Sequence, residues 1–118
     1  MAAFVTGDIV VIPFPFSDLS GSKRRPAFVI ANMSGPDIIL CQITSRDKSD
    51  PYAIPVFPSD FTSGSLPLAS YIRPNKLFTA DKDIILSTAG HISNAKTTLA
   101  IDMLFNLIRG NAAGNPGE

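Results

Sequence analysis

Apolar residues recur along the chain in short runs, separated by stretches rich in Ser, Asp, Gly and Pro, a pattern of strands joined by turns. Gly7-Asp8 opens IVVIPFPF, whose β-branched residues predict a strand through Ile12 that Pro13 and Pro15 end. Residues 17–25, SDLSGSKRR, carry turn chemistry and read as a loop. Pro26 then starts AFVIAN, too continuously apolar for a half-exposed edge and therefore a core strand. MSGPD is a turn, and IILCQIT (38–44) forms a hairpin with the strand before it. After a polar loop over 45–52, AIPVF is a short strand that Pro55 confines to an edge. PSDFTSGSLPLAS reads as loop, and YIRPNKLFTA as one or two short strands, broken or bulged at Pro74.

The last third changes period. DIILSTAGHI is a strand and turn, and Ser93 is a good N-cap for a helix running to about Ile108. Asn94, Thr98, Asp102, Asn106 and Arg109 fall on one stripe of that helix. Ala100, Ile101, Met103, Leu104, Leu107 and Ile108 fall on the opposite one. Gly110 stops it. The expected architecture is mainly β: a small barrel or strongly bent sheet of five to seven short strands, closed by one C-terminal α-helix. Residues 1–110 are expected to form one domain, followed by a disordered tail over 111–118.

Composition narrows the function. The 118 residues suit one domain, and 45% hydrophobic against 17% charged residues provides for a real core. Ten cations balance ten anions, so bulk charge favours no polyanion, membrane or acidic substrate. All but one of the anions are Asp, which suits turns better than surface helices. Cys41 is the lone cysteine and reads as a small buried hydrophobe rather than a reactive thiol. With no disulfide, no signal-like start and no run long enough to span a bilayer, the expectation is a cytoplasmic protein without membrane association. His91 is the only histidine, which argues against a metal site and leaves a Ser-His-Asp triad little to work with. No phosphate-cradling glycine loop or dinucleotide fingerprint is present, and no cofactor is expected.

What remains is polar side chains at strand ends. Lys23, Arg24 and Arg25 stand side by side before a buried strand. In an antiparallel hairpin the start of one strand lies against the end of the next, so Arg25 can meet Thr44 and Ser45. A planar guanidinium beside a hydroxyl suits a phosphate or phosphodiester. Arg73, beside Pro74 and Asn75, joins them if its strand reaches the same face. The bland reading is a solvated cationic loop, an ordinary strand-end threonine and a surface ion-pair arginine.

Residues 7–32, GDIVVIPFPFSDLSGSKRRPAFVIAN, resemble the opening of the MazF/PemK/Kid family of toxin endoribonucleases, including Gly7-Asp8-Ile9 and Arg25-Pro26. CQITS (41–45), SYIRPNKLFT (70–79) and AGHIS before the final helix match later blocks of that family, in order. The resemblance implies an SH3-like barrel with a C-terminal helix. It also implies a homodimer that cleaves single-stranded RNA without metal and is neutralised by a cognate antitoxin. It marks Arg25 and Thr44 as catalytic. Arg73 falls where some members have an arginine acting with an aspartate two residues later, a position held here by Asn75. Some members carry a histidine in the first loop, and SDLSGSKRR has none. Lys23, Arg24, Ser20, Ser22, Arg46 and Lys48 are then candidate RNA contacts, with Arg73, Asn75 and Ser45 as candidates for either role. The alternative is a catalytically weak barrel retained to bind RNA or protein. Phe14, Phe16, Phe57 and Phe61, with Leu99 and Phe105 on the helix, exceed what one small core needs and suggest a dimer surface. Loops folding back over the barrel would cover the same rings.

Overall fold

The computed structural model describes residues 3–15, 18, 20–45 and 50–110. The apolar runs become seven strands and the amphipathic segment a helix. The strands are β1 (Asp8–Pro15), β2 (Ser22–Asn32), β3 (Asp37–Thr44), β4 (Ile54–Val56), β5 (Phe61–Gly64), β6 (Ser70–Asp81) and β7 (Ser87–Ile92). The helix is α1 (Asn94–Arg109), and 3₁₀ turns cover Pro58–Asp60 and Lys82–Ile84. All strand pairs are antiparallel, in one curled sheet ordered β4-β6-β3-β2-β1-β7-β5, a half-barrel with the helix packed on it.

Strand alternation sorts the core onto both faces of that sheet. Ile9, Phe28, Cys41, Ile43, Ile72 and Ile92 join Ala100 of α1 in one buried cluster. Val10, Ile12, Ala27, Val29, Ile38 and Leu40 form the other, covered by Phe4, Phe14, Phe78 and Ile85. Double coverage is why AFVIAN and IILCQIT read as nearly unbroken apolar runs. Burial pushes the Cys41 thiol up to about 12, so it stays protonated and packs as a hydrophobe. Ser93 caps α1 by accepting from the Lys96 N–H, and Gly110 ends it at a φ of 77°, the left-handed geometry glycine adopts without strain.

Several boundaries differ from the sequence reading, and in DIILSTAGHI the order is reversed: a 3₁₀ turn over Lys82–Ile84 comes first and the strand, β7, is STAGHI. Proline does not end β1: Pro13 and Pro15 lie opposite Arg24 and Ser22. Leu86 donates to Val11 O, so odd-numbered residues at this end of β1 turn their backbone groups away from β2. There β7 pairs no further than Val11, and the missing proline N–H groups leave no ladder bond broken. Consequently the cationic triplet is not loop but the opening of β2. β5 arises from a segment read as loop, held by β7 alone. β6 is one twelve-residue strand; its ladder with β3 jumps from Arg73 to Leu77, so Pro74-Asn75-Lys76 bulges out as the proline suggests. The expected tail, 111–118, lies outside the described residues, as do Arg46 and Lys48.

Candidate active site

Register decides which polar side chains share a face. Ala27 pairs with Gln42, and Gln42 with Arg73, so these three form one row across β2, β3 and β6. Arg25 lies two residues before Ala27, and Thr44 two after Gln42. Both therefore fall on the same face, one row further toward the sheet's end. Lys23 follows by the same alternation. The result is a cleft of about 580 Å³ lined by Lys23, Arg25, Gln42, Thr44 and Arg73, with Phe14 of β1 and Asp18 and Ser20 of the first loop. Phe14 is fixed edge-on against Phe78, with ring centroids 5.6 Å apart.

The pleat sets Arg24 apart within the cationic triplet. Lys23 and Arg25 line the cleft and also the rim of a second cavity of about 330 Å³, where Ser45, Leu66, Pro67 and Leu68 lie, whereas Arg24 lines only the second cavity. Ser45 leaves the Thr44 face for the same reason. Ser22 lines neither cavity.

Two carboxylates that the sequence did not single out shape the cleft. Asp50 is nearly buried, its side chain 7% exposed, and its Oδ2 accepts from Arg73 Nε at 3.0 Å. Its Oδ1 accepts from the Tyr52 N–H at 2.9 Å, and the Asn75 side chain also hydrogen-bonds it. Burial works against ionisation of Asp50, but these hydrogen bonds and the Arg73 charge outweigh it and hold the carboxyl below its ordinary value. Arg73 thus has a carboxylate partner, supplied by the segment after β3 rather than by position 75. Asp18 is exposed and accepts from the Ser20 hydroxyl (2.7 Å) and N–H (3.0 Å), which together lower its pKa. His91 bonds Asp8 through Nδ1 at 2.8 Å, tying β7 to β1, and neither residue lines the cleft.

A model of the PemK-like, MazF-like toxin of type II toxin–antitoxin systems matches residues 6–104, most of the chain. The chain belongs to that toxin family. No curated protein matches it in sequence. Among solved structures, the MazE–MazF complex of Deinococcus radiodurans shares 18% identity, with a TM-score of 0.73, covering 92% of this chain and 98% of that one. An endoribonuclease in complex with its cognate antitoxin, from a mycobacterial species, shares 20% identity with a TM-score of 0.66, covering 93% and 96%. At these identities the likeness is one of fold. Within this MazF-like toxin, the positions marked by the resemblance, Arg25, Thr44 and Arg73, meet in a single cleft.

Proposed function

We propose that this toxin is an endoribonuclease for single-stranded RNA and that the cleft is its active site. The convergence of Arg25, Lys23, Arg73 and Thr44 from three strands carries the proposal. In the reaction, a ribose 2′-hydroxyl attacks the adjacent phosphorus and the bond to the 5′ oxygen breaks, the leaving oxygen taking a proton from solvent water. The products are a 2′,3′-cyclic phosphate and a 5′-hydroxyl. Negative charge develops on the non-bridging oxygens, where preorganised donors act most strongly. Arg25 supplies a planar, permanently charged pair of donors there. Thr44 donates to a phosphoryl oxygen or orients the 2′-hydroxyl. Asp18, an ionised carboxylate in the lining, takes the 2′-hydroxyl proton. Lys23 and Arg73 hold neighbouring phosphates. Guanidinium charge does the work a divalent ion would otherwise do, so the reaction proceeds without metal. Duplex RNA is a poor substrate because its stacked bases cannot splay into the cleft.

The partners follow from the same surface. A cognate antitoxin would neutralise the toxin by covering the cationic cleft. Exposed Leu99, Phe105 and Ile108 on α1 support a homodimer, since apolar side chains of that size are costly to leave in water. Of the four rings named with them, Phe57 is also exposed, Phe14 and Phe61 pack against the protein's own core, and Phe16 lies outside the described residues. Messenger RNA places the activity in the cytoplasm. The test is incubation of the purified protein with a long single-stranded RNA in EDTA. Fragmentation supports the proposal, and retention on RNA without fragmentation supports a binding module instead.

A further inference from the structure

We propose that Asp50 is the positioning residue of the cleft: it grips the Nε edge of Arg73 and leaves the terminal guanidinium nitrogens directed at an RNA phosphate. The inference rests on the ribonuclease reading above. Asp50 does not line the cleft, whereas Arg73 does, so the carboxylate stands behind the arginine and reaches RNA only through it. Among the described residues, the bond from Nε to Asp50 is the hydrogen bond Arg73 makes, and it does not use Nη1 or Nη2.

The carboxylate is set before Arg73 reaches it. Asp50 accepts from Tyr52 N–H through its side chain and from Ala53 N–H through its backbone carbonyl, closing a turn upon itself. The Asn75 amide, brought close by the β6 bulge, holds the carboxylate from another side. Arg73 needs this anchor for two physical reasons. Lys23 and Arg25 line the same cleft and repel it toward solvent. A long side chain left free would also have to give up its rotamer freedom each time RNA binds. Anchored, Arg73 presents its donors with that ordering already complete.

The experiment compares wild type, D50N, R73A, D50N/R73A and D50N/N75D. It measures kcat and KM on single-stranded RNA, affinity for a non-cleavable 2′-O-methyl RNA of the same sequence, and Tm. D50N is expected to lower kcat/KM by about 10- to 100-fold, the scale of losing an outer-shell orienting group. On the R73A background the same change is expected to cost less than about 2-fold, because Asp50 acts through Arg73 alone. Since Asn75 touches the Asp50 carboxylate, D50N/N75D returns a negative charge beside Arg73 and is expected to regain activity that D50N lost. A D50N protein as active as wild type overturns the inference, as does a loss that multiplies with that of R73A. A D50N that fails to fold with or without Arg73 makes Asp50 structural and also overturns it. Should wild type bind RNA without cleaving it, the ribonuclease reading falls; the 2′-O-methyl affinities, with the same pattern expected across the variants, then decide on Asp50.

Discussion

In the proposed reaction Arg25 carries the developing charge, and its exposure separates function from stability. It lies at the open end of β2 with no core contact to lose, so Arg25→Ala is expected to leave Tm nearly unchanged. Cleavage is expected to fall by at least about 100-fold, the scale of deleting one oxyanion donor. A collapse in thermal stability would make Arg25 a structural residue. Asp18 gives a prediction in pH. Its carboxyl is held below the ordinary value by the Ser20 hydroxyl and N–H, so it stays ionised as pH falls into the mildly acid range. A base is active when deprotonated, so with Asp18 as the base cleavage is lost only as pH drops through that lowered pKa, on the acid side of an ordinary aspartate. Ser20→Ala removes the hydroxyl bond, raises the pKa and moves the acid limb of kcat/KM to higher pH. An acid limb that Ser20→Ala leaves in place would assign the proton to another group.

At the scale of elements, the two-residue period of β2 gives three adjacent cations different fates. Lys23 and Arg25 line the proposed RNA cleft and Arg24 does not. Single-strand binding releases roughly 0.7 counterions per phosphate neutralised. Lys23→Ala is therefore expected to shallow the slope of log affinity against log salt by about 0.7, and Arg24→Ala to leave it unchanged. Equal effects would place the RNA across the strand end rather than on one face. This division was hidden in the sequence because Ser20-Gly21-Ser22 and the prolines before it looked like loop punctuation. Whether a proline breaks a strand depends on which neighbour its missing N–H would have faced, and that is a property of the sheet. The meeting of Arg25 with Thr44 was legible, since hairpin pairing between successive apolar runs follows from the chain itself. Ser93 and Gly110 likewise announced the helix ends. Asp50 was not legible: it reaches Arg73 across 23 residues of chain, a tertiary meeting that no local pattern records. β5 was missed because its Thr-Ser-Gly composition is that of a turn, and only pairing with β7 makes it a strand.

For the whole molecule, a neutral chain with a local cationic cleft is expected to bind RNA through geometry rather than bulk charge. The apolar side chains left open on α1 call for a second copy, and light scattering at micromolar concentration is expected to give twice the 12.6 kDa chain mass. A monomer mass would leave those side chains to another partner. The central claim is that arginine charge in this cleft drives attack by the 2′-hydroxyl without metal. It is tested most directly by analysing the ends of fragments made in excess EDTA from a single-stranded RNA, alongside the same strand carrying 2′-O-methyl groups. The account predicts 2′,3′-cyclic phosphate and 5′-hydroxyl ends from the RNA and an intact 2′-O-methyl strand. Cleavage of the 2′-O-methyl strand, 5′-phosphate ends, or loss of all cleavage in EDTA would contradict it.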